Sequence, residues 1–329
     1  MKQFLLTFLT ALLLTSCNQR AGYRTVEGSV WHTTYRITYR ADRPLDDSIA
    51  AALMRVENSL SVFNDESLVS LVNISDSRKI GADSLFMKVM TMSRRVNALS
   101  RGAFDPTVEP LVNLWGFGRD GEGSAPSEAG IAAVLESVGI QDCFVDDDGR
   151  IVKKTNATHF DFSAIAKGLG CDAVGEALRR GGATDYMVEI GGEIALAGTN
   201  PRGEPWHIMI DAPVESRDSV VHSELTTVAL TDCGVATSGN YRNYRDLDGR
   251  RVGHTISPLT GRPVETATLS ATVIAPTAME ADALATACMA MPAAEAMAMI
   301  DSLPGTEAML VVGGKKLTIL RSKNFPQQR

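Results

Sequence analysis

Asp161-Phe-Ser-Ala-Ile-Ala-Lys-Gly168, continued by Leu169-Gly-Cys-Asp-Ala-Val-Gly-Glu-Ala-Leu178, reads as a strand end passing through small residues into an amphipathic helix. Leu169, Ala173, Val174, Ala177 and Leu178 share one face, and Arg179, Arg180, Gly181 and Gly182 close the helix. A carboxylate at Asp161, a cation at Lys167 and the N–H groups of a helix start meet in this stretch. The positive end of the helix dipole favours a phosphate. On these residues alone two readings stand, a phosphate-binding turn and a merely tight connection.

On the C-terminal side the pattern turns strand-rich. Tyr186 to Ile190, Ile194 to Ala197 and Trp206 to Ile210, separated by turn signals, predict an antiparallel meander. A hairpin turn is expected at Asp248-Gly249, a strand over Leu269 to Ile274, helices over Met279 to Met291 and Ala293 to Ile300, and strands over Ala308 to Val312 and Leu317 to Leu320. On the N-terminal side, alternation from Val26 to Tyr39 predicts one strand. Asp46 or Asp47 is expected to cap a helix carrying Ile49, Leu53, Val56 and Leu60, and Asp83 or Ser84 to start one carrying Leu85, Val89, Met92, Val96 and Leu99. Leu68, Leu71 and Val72 lead into a loop, Ser127 caps a third helix, and Phe144 to Val152 reads as a hairpin. The mixture predicts an α+β fold of antiparallel sheets with flanking helices.

With 329 residues, 44% of them hydrophobic and 6% aromatic, the chain can bury a large core. A net charge of −7 without any basic block argues against nucleic acid as a partner. Lys2, the apolar run Phe4 to Leu14 and the ending Leu14-Thr-Ser-Cys17 make residues 1–17 an export signal whose end resembles a bacterial lipobox. That resemblance implies lipidation of Cys17 and an exported protein tethered to the periplasmic side of the inner or outer membrane. Residues 18–24 are expected to be a polar tether, 25–322 the folded body in two intimately joined subdomains, and 323–329 a tail. Cys143, Cys171, Cys233 and Cys288 are widely spaced and read as buried small hydrophobes, one bridge remaining open. Neither a G-x-G-x-x-G nor a Walker A run is present, which disfavours Rossmann and P-loop enzymes.

Asp282 and Thr286 stand four apart on an otherwise small and apolar helix, hence on one face. Two oxygen donors so placed suit a hard ion such as Mg²⁺. An acid serving the helix dipole, with a threonine bonded to the preceding turn, is the equal alternative. Gly102-Ala-Phe-Asp-Pro-Thr-Val-Glu-Pro-Leu-Val-Asn-Leu-Trp-Gly-Phe-Gly118 is either a packed loop or an aromatic wall for a planar ligand.

Five stretches in order resemble the ApbE family of flavin transferases across nearly the whole mature chain: 59–67, 102–118, 161–168, 235–241 with His254, and 281–286. The resemblance implies an ApbE-like, T-fold-like body that uses Mg²⁺ to move FMN from FAD onto a threonine of an acceptor protein, releasing AMP. It implies metal contacts at Asp282, Thr286 and the Ala164 carbonyl, and FAD contacts at Trp31, Phe63, Trp115, Gly116, Phe117, Asp161, Lys167 and Ile256. It also implies His254 as general base and an acceptor subunit of a membrane redox complex. The family commonly carries His-x-x-Asp-Pro where this chain has His254-Thr-Ile-Ser257-Pro258. FAD hydrolysis to FMN and AMP, and non-catalytic FAD binding by a lipoprotein, are the alternatives.

Overall fold

The computed structural model describes residues 22–118, 125–213, 223–239, 244–247, 250–253, 255–314 and 316–327. Cys17, the export signal, His254 and the Asp248-Gly249 turn lie outside them.

The chain opens with a hairpin, β1 (Gly22–Val30) and β2 (Thr33–Ala41), where one strand was expected. Trp31 and His32 make the turn at φ 49° and 59°, the left-handed pair that joins twisted strands. Neither is Gly or Asn, so the sequence carries no turn signal. The strand also begins inside the expected tether, at Gly22. Helix α1 (Asp46–Leu60) has Leu45, not either aspartate, in the N-cap position. The Leu45 N–H donates to the Tyr39 hydroxyl at 2.9 Å, and Asp46 and Asp47 serve the dipole in the first turn.

Then follow α2 (Leu68–Ile74), a short helix over residues expected only to lead into a loop, β3 (Lys79–Gly81) and α3 (Ser84–Leu99), capped by Asp83. Beyond them come α4 (Glu109–Leu114), α5 (Glu128–Leu135), and the hairpin β4 (Phe144–Val145) and β5 (Arg150–Val152). The stretch quoted first contains no strand: residues 158–162 are irregular, and α6 (Ala166–Arg180) follows. The second half runs β6 (Tyr186–Ile190), β7 (Glu193–Ala197), β8 (Trp206–Asp211), β9 (Glu224–Leu230), β10 (Gly234–Gly239), β11 (Tyr244–Leu247), β12 (Arg250–Gly253) and β13 (Thr268–Ala275). It closes with α7 (Ala278–Ala290), α8 (Ala293–Asp301), β14 (Glu307–Val312) and β15 (Thr318–Arg321).

An eight-stranded antiparallel sheet, ordered β1-β2-β6-β7-β10-β13-β14-β15, is the frame. The expected meander holds only for β6 and β7; β8 leaves the sheet and pairs with β9 as a separate ribbon. The alternation of β7 shows how both faces are buried. Ala195 and Ala197 point to α1 and α6, while Ile194 and Leu196 point to the ribbon and meet Trp206, Ile208 and Val228. Helix α7 packs over β10 and β13 in the largest core, with α3 and α8 beside it. Cys143, Cys171 and Cys288 are buried as free thiols, and Cys233 is half-buried and free.

Two contacts bring α6 against the start of α7. Asp172 accepts the N–H groups of Ala278 (3.0 Å) and Met279 (2.9 Å), and Thr277 caps the same end. Burial pushes the Asp172 carboxyl up to about 6 even though those amides pull it down. Gly168 permits the approach, because a Cβ there would stand 2.3 Å from the Ala278 carbonyl oxygen. Gly168→Ala is therefore expected to cost about 1–3 kcal/mol, the usual scale of overpacking. Chemical denaturation checks this, and unchanged stability would mean that the helices have room to spare.

Candidate active site

A cavity of about 950 Å³ opens where the α6–α7 pair meets the ends of β7 and β10. The size lies at the upper end of small-molecule sites, about 300–1,000 Å³, as a dinucleotide requires. Five segments far apart in sequence supply its lining: Phe63; Gly116 and Phe117; Asp161, Ala164 and Lys167; Ile256; and Asp282 with Thr286. Nine of the residues expected to bind metal or FAD thus share one cavity.

Trp31 and Trp115 are not among the described residues that line it. The Trp31 ring lies behind α6, close enough that a Cβ on Gly170 would come within 2.4 Å of it. Its indole N–H has no partner among the described residues. Trp115 turns to a second cavity, donates its indole N–H to the Gly261 carbonyl at 2.7 Å and packs with Leu111, Ile131 and Ile256. Phe63 stays half exposed at the mouth, its ring edge-on to His32 with centroids 5.0 Å apart.

The electrostatics centre on Asp282, which is 2% exposed on α7. One of its oxygens accepts the Gly168 N–H at 3.0 Å, so the anion held at the start of α6 is a carboxylate of the protein itself. The run of free amides expected for phosphate is accordingly not all free. Lys167 stands 3.3 Å from Glu193, and its ammonium donates to the Ser163 carbonyl at 3.4 Å. Burial opposes the Lys167 charge, but the Asp282 and Glu193 carboxylates outweigh it and hold the ammonium above its ordinary value. Burial pushes Asp282 and Glu193 upward, against the pull of Lys167. Two buried carboxylates face one ammonium here, and a cation bound beside them would favour their charged forms.

The donor set fits a hard ion. Asp282, Thr286 and Ala164 line the cavity, bringing a buried carboxylate and a hydroxyl to it, and the described residues hold no group of three His, Cys, Asp or Glu side chains fit for a metal. Oxygen donors few in number match Mg²⁺, which keeps several waters. Asp161 is likewise raised by burial, its Oδ1 accepting the Ser163 N–H at 2.8 Å. His254 lies outside the described residues, but its neighbours Thr255 and Ile256 line the cavity. Ser257 accepts the Thr260 N–H on its hydroxyl at 3.3 Å, a turn contact that Asp makes equally well, so the departure from the family pattern leaves the loop geometry served.

Sequence reasoning missed two contributors. Glu193 is 5% exposed, and its second carboxylate oxygen has no partner among the described residues. Its one signal was an acid opening an otherwise apolar strand. Ser238, on β10, lies with its hydroxyl 3.3 Å from that of Thr286. A threonine oxygen offered to a cation must aim its proton elsewhere, and Ser238 is placed to accept it. Ser238→Ala is expected to weaken Mg²⁺ binding about 10–100-fold, the usual effect of losing a group that orients a ligand. Calorimetric titration checks it, and an unchanged affinity would free Ser238 of that role.

In fold the chain is similar to solved flavin transferases. The flavin transferase ApbE from Vibrio cholerae superposes with a TM-score of 0.82 at 32% identity, covering 93% of this chain and 98% of that one. The apo form of Pseudomonas stutzeri flavinyl transferase ApbE gives 0.83 at 33% identity, covering 93% and 96%. The chain belongs to the ApbE family, whose model matches residues 31–310. Relatives named FAD:protein FMN transferase include one from Vibrio cholerae, 35% identical over 310 residues (92% of this chain, 91% of the relative). Another, from Haemophilus influenzae, is 35% identical over 291 residues, covering 84% and 83%.

Proposed function

We propose that this enzyme transfers FMN from FAD to a threonine hydroxyl of an acceptor protein and releases AMP. The observation that carries the reading is the convergence of Asp161, Ala164, Lys167, Asp282 and Thr286 with Phe63, Phe117 and Ile256 on one dinucleotide-sized cavity. Asp282, Thr286 and the Ala164 carbonyl would hold Mg²⁺. The ion, when bound, supplies Lewis-acid neutralisation of the linked phosphates. Lys167, fixed between Ser163 and Glu193, gives a second positive charge to the same region. Phe63 and Phe117 offer faces for a planar ring.

His254 takes the proton of the threonine hydroxyl. The threonine oxygen then bonds to the FMN phosphorus while the bridging bond to AMP breaks, and the electron pair leaves with AMP. A neutral imidazole suits that step near pH 7. The export signal read over residues 1–17 and the lipobox-like ending at Cys17 support a location on a membrane surface outside the cytoplasm, and a redox-complex subunit is the acceptor we propose.

Incubating the purified protein with FAD, Mg²⁺ and a peptide carrying one threonine, followed by mass spectrometry, tests the proposal. A peptide that gains the mass of FMN is the expected result. Free FMN and AMP with unmodified peptide, or FAD bound and unchanged, would overturn it.

A further inference from the structure

We infer that a second cavity beside the cleft is the groove in which the acceptor polypeptide docks, an inference that rests on the transferase reading above. The two cavities share a wall. In one short segment Gly253 and Ser257 line the second cavity, while Thr255, Ile256 and Pro258 line the first. Ala290 lines both, and on α7 it lies one helical turn beyond Thr286. A hydroxyl presented beside Thr286 therefore has its flanking chain running into the second cavity.

Size and charge fit a polypeptide rather than another part of the dinucleotide. The cavity encloses about 1150 Å³, beyond the roughly 300–1,000 Å³ of small-molecule sites. Its described cation, Arg262, is paired with Glu128, and Glu265 lines it as well. That balance is acidic. It suits a neutral or basic chain, whereas the metal proposed at Asp282 and Thr286, with Lys167 beside it, makes the first cavity the phosphate side. Hydroxyls from Thr260 and Thr266 supply polar contacts of the kind a backbone uses.

Ala267 and Ala125 are exposed residues on the cavity lining, where a bulky side chain can enter without disturbing a core. Ala267→Trp and Ala125→Trp are to be compared with the parent protein in two assays: FAD affinity with Mg²⁺ by flavin fluorescence, and FMN transfer to a short peptide with one threonine among small polar residues. The expected result is an unchanged FAD affinity and a KM for the peptide raised at least about tenfold in one or both variants, with the parent's melting temperature retained. An unchanged peptide KM in both variants overturns the inference, as does a fall in FAD affinity, which would give the cavity to the dinucleotide. A parent protein that binds FAD but labels no peptide would sink the transferase reading first and this inference with it, so the two failures are told apart.

Discussion

Asp282→Ala is expected to remove metal-dependent FAD binding and FMN transfer together. The carboxylate is the one charged donor on the α7 face of the cleft, and losing metal stabilisation of developing charge costs several kcal/mol. At about 1.4 kcal/mol per tenfold in rate, kcat/KM should drop by about 10³ or more. Stability should move less. The Gly168 N–H loses its acceptor, worth about 1–3 kcal/mol, while relief from burying a charge on a residue 2% exposed offsets part of that loss. Asp282→Asn, which keeps an oxygen for Gly168, should restore the fold without restoring Mg²⁺ dependence. Full Mg²⁺-dependent activity in Asp282→Ala would remove the aspartate from the metal site.

His254→Ala is expected to separate binding from chemistry. A general base contributes about 10²–10⁴ to the rate, so transfer should fall by that factor. FAD affinity should stay within about twofold, because the cleft wall nearby is built from Thr255, Ile256 and Pro258. The pH profile gives an independent reading. The parent rate should fall as acid protonates the general base, because a protonated ring cannot accept the hydroxyl proton, and the residual rate of the variant should lack that limb. Equal loss of FAD binding and rate would make His254 a ligand contact instead.

Much of the frame was legible because it rests on local patterns. Asp83 and Ser127 cap the helices they were expected to start, and the α7 and α8 boundaries fall within a residue or so of the periodicity. What escaped depended on partners distant in the chain or on unsignalled backbone. Trp31 and His32 turn left-handed without Gly or Asn. The buried Leu45, tied to Tyr39, takes the start of α1 from two good capping residues. Helix α2 is too short for its period to show, and β8 finds its partner in β9 rather than in the strand before it.

The site divides in the same way. Asp282 and Thr286 could be placed on one face from their spacing alone, since a helix fixes that geometry. The bond from Gly168 to Asp282 joins residues 114 apart, and no local pattern announces it. Glu193 was hidden for a related reason: after two glycines it resembled an ordinary turn acid, and only the fold shows it buried against Lys167.

Crystals soaked with FAD and Mn²⁺, a Mg²⁺ substitute with a measurable anomalous signal, give the most direct test. The account predicts one strong anomalous peak bounded by the Asp282 carboxylate, the Thr286 hydroxyl and the Ala164 carbonyl, with the two FAD phosphates against it and Lys167 alongside. An anomalous peak away from those three residues, or FAD phosphates bound in another part of the molecule, would contradict it.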